Sequence, residues 1–392
     1  MNHKNVDLYK EYCTGCGLCS SILNVQFEKD EKGFSWPILS DNEKEFCEKV
    51  CPAGGNAYSD YTSPWGKYIN LYESWANDFD IRNKASSGGT LTALCCYLLE
   101  HKLVDGIIQT KASSQVVYET ETVISTTIEE VKACMGSRYS ISSPLKNIKQ
   151  IVENGKIYAF VGKPCDVASL RAYLALDPKL EAQIKYLLSF FCAGEPSDIA
   201  QTKLLNTLNC NEATDCISLQ YRGNGWPGEA IAIKTDYSSK SISYDDSWGK
   251  ILGRDVRHIC RFCMDGIGES ADVSCGDLWH LTPDNKPNFS EALGRNMSFA
   301  RTQKGEELMQ QATKAGYIAS DITNEEQLKF VQTYQYTRRA TMYAKLMAMK
   351  LMRRNTPDYN VEKMKRMSRL VNLKTQVRTA LGILKRIYNK KI

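Results

Sequence analysis

Two short apolar runs, IYAFVG at 157–162 and YLLSFF at 186–191, each stop at Gly, Pro or Cys-containing turns. Runs of that length and composition predict strands buried on both faces. Between them, VASLRAYLALD follows the helical period. Strand, helix and strand in that order predict a parallel α/β unit. Upstream, KASSGGTLTALCCYLLEHKLVDGIIQT predicts a Gly-Ser turn, a helix and then a strand. Downstream, CISLQYRGNGWPGEAIAIKTDY predicts two strands around a Gly-rich loop, and HICRFCMDGIGESADVSCGDLWH an irregular, turn-rich stretch. From about residue 325 the pattern becomes helical, with a break at RNTPDYN, 354–360. The Pro and Gly of CPAGGNAYSDYTSPWG, 51–66, mark a boundary near the N-terminal side. Neither a solenoid repeat nor a low-complexity tract occurs.

A chain of 392 residues predicts two or three domains. It offers no stretch of about 20 apolar residues for a membrane span. MNHKNVDLYKEYC shows no signal-type apolar run, which predicts a cytoplasmic address. The net charge of +5 conceals an asymmetry. Residues 337–392 hold 16 Lys and Arg against 2 Asp and Glu, leaving the remainder near −9. That basic, helically patterned tail suits docking to a membrane surface or a protein, or packing as a solvated helix on its own domain. Nucleic acid is disfavoured, because no recognised binding motif accompanies the charge.

Fifteen cysteines change the picture. In a reducing compartment clustered cysteines point to metal or redox work rather than disulfides. Cys95, Cys96, Cys210 and Cys216 lie in helix-like or strand-like surroundings and read as packed thiols. Cys13, Cys16 and Cys19 form C-x2-C-x2-C. A four-iron cube needs four thiolates around a small sphere, and two-residue spacers let successive turns wrap three of its corners. Gly15 and Gly17 leave room for backbone amides to reach the sulfides. The fourth ligand of such runs often comes from a distant Cys-Pro. Here FCEKVCP supplies Cys51-Pro52, while Asp41 and Lys44 stand where a second motif would begin. One [4Fe–4S] cluster on Cys13, Cys16, Cys19 and Cys51 follows, with Cys47 left spare. A zinc knuckle would favour paired C-x2-C units instead.

A second set is more dispersed. Cys165 follows the first buried strand in GKPC, and Cys192 follows the second in FFCAGEPS. If the strands are parallel neighbours, both reach the carboxyl edge of one sheet, where open α/β sheets place ligands. Cys260 and Cys263 form a C-x2-C pair. These four suit a second [4Fe–4S] cluster or a structural zinc, with Cys134 and Cys275 in reserve. Ser86, Ser87, Gly88 and Gly89 precede a helix and present either an anion site or a plain N-cap. Arg138 and Tyr139 add a cation and a ring, and Lys163 either an anion contact or a solvated turn residue. A G-x-G-x-x-G after a strand, a P-loop, H-E-x-x-H and a nucleophile elbow are all missing. His258 and His280 flank the Cys260/Cys263 region and read either as groups supporting its ligands or as ordinary satisfied histidines, Asp277 either as a site residue or as a structural turn residue, and no catalytic acid or base is named.

C-x2-C-x2-C…CP, SSGG before a helix, GSRYS, GKPCDVASLR, FFCAGEPS, C-x2-C and ADVSCGDLW occur in one order over roughly residues 10–325. That string resembles the coenzyme F(420) hydrogenase/dehydrogenase beta-subunit family, iron–sulfur flavoproteins related to 7-hydroxymethyl chlorophyll a reductase. The resemblance implies an α/β (α+β) architecture. It comprises a ferredoxin-like [4Fe–4S] domain at 1–64, a flavin-site region at 65–155, a second-cluster region at 156–330 and a basic helical tail at 331–392. It implies FAD near Ser86–Gly89, Arg138, Tyr139 and Lys163, and favours a second cluster on Cys165, Cys192, Cys260 and Cys263. It further implies an oxidoreductase relaying electrons from ferredoxin, or from reduced coenzyme F(420), through the clusters to FAD and a small-molecule substrate. Family members of this type accompany polysaccharide biosynthesis. The alternatives are the beta subunit of an F(420)-reducing hydrogenase or dehydrogenase complex and, in another class, a zinc-stabilised binding protein.

Overall fold

The computed structural model describes residues 8–54 and 63–389. Residues 1–7 of the run read for a signal, and residues 55–62 of the boundary segment, lie outside the described residues. At the centre is an eight-stranded mixed sheet. Its spatial order is Ile318–Ile322, Asn70–Ala76, Asn296–Ala300, Val273–Asp277, Ile184–Phe190, Tyr158–Gly162, Gly106–Ala112 and Thr120–Ser125. The four strands from Val273–Asp277 to Gly106–Ala112 are mutually parallel, and antiparallel strands flank them on both sides. The two apolar runs are therefore parallel neighbours, with Val161 opposite Leu188.

Adjacent residues along these strands serve opposite cores, as a two-residue period requires. Ile107, Ala159 and Leu188 pack under helices Thr90–Glu100 and Gln303–Lys314. Ile108, Phe160 and Leu187 pack under helix Pro164–Leu174 and the N-terminal residues Leu18 and Val50. With helices on both faces, the inner strands need no polar side, which is why they read as continuous apolar runs. The Gly-rich segment does separate two antiparallel strands, Cys216–Gln220 and Ala230–Lys234.

Two expectations are corrected. VSCGD is a central strand, Val273–Asp277, and not part of an irregular stretch. Its Ser, Gly and Asp are poor strand formers, but pairing on both sides and burial on both faces override propensity. The tail is helical, yet it is no separable appendage. Met342, Leu346, Met349 and Ile383 share one core with Tyr12, Ala53, Ile259 and Phe262. Truncation after Lys329 would therefore strip cover from both cysteine regions. The N-terminal segment contributes helices Leu18–Leu23 and Asp41–Val50 around a short hairpin, Phe27–Lys29 with Ser35–Pro37. It lies between the sheet and the tail. Cys95, Cys96, Cys210 and Cys216 are buried among core residues, as packed thiols should be.

Candidate functional site

The loop Cys13–Cys19 winds tightly because Gly15 and Gly17 both sit at positive φ, 76° and 86°. The Gly15 amide donates to the Cys13 sulfur at 3.3 Å. Ser143 Oγ donates to the Gly15 carbonyl at 2.7 Å, and the Leu145 amide to the Cys16 carbonyl at 2.9 Å, so the loop is pinned to the body. Cys51 caps helix Asp41–Val50 and its sulfur feels those of Cys16, Cys13 and Cys19. The four residues read as first-set ligands are thus brought together. Burial pushes the Cys13 thiol up to about 12 and Cys16 to about 11. Cys19 is held below its ordinary value by a hydrogen bond from Cys47. Cys47, read as spare, is a fifth thiol in contact with the set.

The second set converges as well. Cys165, Cys192, Cys260 and Cys263 line one small cavity of about 30 Å³. Cys165 opens helix Pro164–Leu174 at the carboxyl end of strand Tyr158–Gly162, and Cys192 follows Ile184–Phe190. The C-x2-C pair comes from a 3-10 turn, His258–Phe262, packed under the tail. Burial raises Cys192 to about 11, Cys260 to about 12 and Cys263 above its ordinary value, and the Arg338 guanidinium offsets part of the rise at Cys192 and Cys263. Among the described residues no three Cys, His or acidic side chains close on the position of a single ion. Both sets are grouped without meeting at a point. Cys134 and Cys275 join neither set; they line the larger cavity described next.

That cavity, about 600 Å³, opens at the carboxyl edge of the parallel strands. Ser86, Ser87, Gly89, Arg138, Tyr139 and Lys163 all line it. Gly88 stands just behind, where a Cβ would meet Asn296 Oδ1 at 2.7 Å. Gly89, at φ 76°, caps helix Thr90–Glu100 without a side chain, and Leu91 and Thr92 of the first turn line the cavity. Ser86 Oγ and Arg138 Nε are buried without hydrogen-bond partners. A cation and a hydroxyl left unsatisfied beside a helix N-terminus fit a polar, anionic ligand such as a flavin's phosphates. Part of the lining is aromatic: Tyr244, Trp248, Trp279 and Phe289, with Trp248 beside Tyr139 at 4.6 Å between ring centroids. There Asp277 accepts both Arg222 guanidinium nitrogens at 3.1 Å and Trp226 Nε1 at 2.9 Å.

Between these sites runs a buried charged chain of which the sequence marked only Lys163. Arg257 Nε donates to Glu195 Oε2 at 2.6 Å, and Lys163 Nζ lies 3.3 Å from Glu195 Oε1 and 3.2 Å from Asp166 Oδ2. Burial alone would lower Lys163, but Asp166 and Glu195 hold it above its usual range. Burial would likewise raise Glu195, but Arg257 and Lys163 keep it an anion. Arg257 also approaches Gly15, where a Cβ would meet its Nη2 at 2.6 Å, and it stacks over Phe34 and Trp36. Lys163, Cys192, Gly194 and Glu195 line both cavities, so one wall separates the second cysteine set from the large cavity. Glu195 sits inside FFCAGEPS and was findable beside Cys192; Arg257 and Arg338 carried no local signal. His258 packs between Tyr12 and Phe262, and His280 lies edge-on to Trp226, both as structural residues.

Residues 71–149 match the family described as coenzyme F(420) hydrogenase/dehydrogenase, beta subunit N-term, and residues 155–326 match its C terminus. The F(420)-dependent formate dehydrogenase 1 subunit beta of Methanococcus maripaludis is 26% identical over 261 residues, 66% of this chain and 63% of that protein. The match thus spans less than two thirds of that relative's length. The coenzyme F(420) hydrogenase subunit beta of Methanococcus voltae is 25% identical over 65% of this chain and 85% of its own length. A coenzyme F(420)-dependent sulfite reductase of Methanocaldococcus jannaschii is 27% identical over 81% of this chain and 48% of that protein. A chain of the F(420)-reducing [NiFe] hydrogenase complex from Methanosarcina barkeri superimposes with a TM-score of 0.60 at 18% identity, over 77% of this chain and all of that one. That likeness concerns the fold. With both halves of the family matched in order across the body of the sheet, the chain belongs to the coenzyme F(420) hydrogenase/dehydrogenase beta-subunit family.

Proposed function

We propose that this chain is the electron-transferring beta subunit of an oxidoreductase complex that exchanges electrons with coenzyme F(420). Cys13, Cys16, Cys19 and Cys51 would hold one [4Fe–4S] cluster. Cys165, Cys192, Cys260 and Cys263 would hold a second, and the 600 Å³ cavity a flavin, FAD. When bound, the clusters carry single electrons and the flavin pairs them for transfer as a hydride equivalent.

The observation that carries this reading is the wall shared by the two cavities. Lys163 and Glu195 stand on both sides of it at fixed positions, locked by Arg257 and Asp166. Lys163, Arg257 and Arg338 place positive charge around both thiol sets, which offsets the negative charge that four thiolates bring. Arg138 and Ser86 offer unsatisfied polar atoms to the cofactor, and Tyr244, Trp248 and Trp279 offer it apolar ring surface.

The subunit reading moves ahead of a stand-alone reductase in polysaccharide biosynthesis. The relatives are named as subunits of formate dehydrogenase and hydrogenase and as a sulfite reductase. The direct test is anaerobic. The reconstituted protein is mixed with reduced coenzyme F(420) or with reduced ferredoxin, and bleaching of its visible absorbance is followed. Rapid bleaching by reduced F(420) is expected. Bleaching by ferredoxin alone would restore the stand-alone reductase, and bleaching by neither would sink both.

A further inference from the structure

Among the described residues, the C-terminal helix Leu373–Tyr388 is held by one face only. Gln376 Nε2 donates to the carbonyls of Ala340 and Ser368 at 2.8 and 2.7 Å, and Ile383 and Ile387 are buried in the core shared with Met342. At about 100° per residue, the next arc of the helix, about 80° wide, carries Leu373, Val377, Leu381 and Tyr388. These side chains are 76%, 49%, 60% and 85% exposed. Lys374, Arg378 and Lys385, all exposed, follow immediately around the helix. Residues 361–388 hold eight Lys and Arg against Glu362 alone.

Single exposed apolar residues are ordinary, but a continuous stripe rimmed by charge is not. We propose that this face docks the protein onto an anionic bilayer, with the helix lying in the plane of the surface. Leu373, Val377 and Leu381 enter the headgroup–acyl boundary, and the basic row meets the lipid phosphates. The arrangement is sided as such helices are, with packing face, apolar stripe and basic row in sequence. Tyr388 adds an interfacial ring at one end. Charge decides between occupants. A protein interface core is depleted in Lys, whereas an anionic membrane rewards each basic residue near it. No described helix is long and apolar enough to cross a membrane, so the contact is peripheral. This inference is independent of which electron donor the protein uses.

The test uses the full chain with its cofactors. Flotation is measured with vesicles of phosphatidylcholine alone and with one quarter phosphatidylglycerol, at low and high salt. Wild type should partition at least about tenfold better onto the anionic vesicles, and lose that preference at high salt. Leu373→Asp/Leu381→Asp and Lys374→Glu/Arg378→Glu should each reduce binding about tenfold or more, with visible spectrum and melting temperature unchanged. Absence of wild-type binding, or equal binding by wild type and both variants, overturns the proposal. Self-association of the wild type that disappears in Leu373→Asp/Leu381→Asp, without vesicle binding, would assign the face to a second copy and overturn it too.

Discussion

Cys165 and Ser169 stand one turn apart on helix Pro164–Leu174, and each belongs to a different sulfur site. Cys165 lines the second cavity, while Ser169 Oγ lies 3.7 Å from the sulfur of Cys16 in the first set. Four residues of helix rise only about 6 Å, so one rigid element fixes the spacing of the two sites. Removing the Ser169 hydroxyl would take a hydrogen bond from the Cys16 sulfur of the proposed first cluster. Ser169→Ala should make the first cluster's potential more negative, on the order of tens of millivolts, at unchanged iron content. Redox titration followed by electron paramagnetic resonance reads this. An unmoved potential would place Cys16 outside the ligand set.

The second set decides between conduction and stapling. Anaerobically prepared protein should hold about eight irons per chain, and Cys263→Ser about four. About four irons plus one zinc, with the zinc lost in Cys263→Ser, would make the site structural and cut the electron path there.

Cys47 touches Cys19, so geometry alone leaves it a rival of Cys51. Cys51→Ala should lose about four irons and Cys47→Ala none. The reverse result would exchange their roles, and equal loss would discard the assignment.

Arg257 and Glu195 form a buried ion pair whose halves are 1% and 3% exposed. Arg257→Met leaves Glu195 short of its main counter-charge and should cost about 3–5 kcal/mol in unfolding free energy. Adding Glu195→Gln should recover part of that, because Lys163 still has Asp166. Denaturant unfolding of the two variants measures it; a double variant weaker than the single would mean that Glu195 is not carrying a charge.

Arg138, half-buried, turns a buried and unpartnered Nε toward the large cavity. Loss of a charged hydrogen bond is worth roughly 1.5–3 kcal/mol, so Arg138→Ala should weaken FAD about 10–100-fold. Fluorescence titration of the deflavinated protein gives the value. Full retention of FAD would move the cofactor's anionic part away from this end.

Much of this arrangement was legible in the chain because short-range chemistry announces itself. The runs around Val161 and Leu188 read as buried strands, and Cys165 and Cys192 at their ends were placed correctly as neighbours at the sheet edge. The C-x2-C spacing marked Cys260 and Cys263 in the same way. What stayed hidden depends on contacts across long separations. Arg257 is recognisable only once Gly15 and Glu195 lie against it, and VSCGD is a strand only because two neighbours pair with it. The tail's amphipathic period was plain, but periodicity says nothing of which surface receives it. Its inner face turned out to belong to the core over Tyr12 and Phe262.

That packing also imposes a timetable on biosynthesis. Cys13 to Cys51 are translated early, but Met342 and Leu346, which close the core beside them, follow Cys51 by about 290 residues. At 5–20 residues per second the thiols wait on the order of 15–60 s for their cover. During that interval they are open to iron delivery and equally open to oxygen. If these thiols hold the proposed cluster, the order in which the polypeptide emerges leaves it a loading window, and folding of the later helices shuts it.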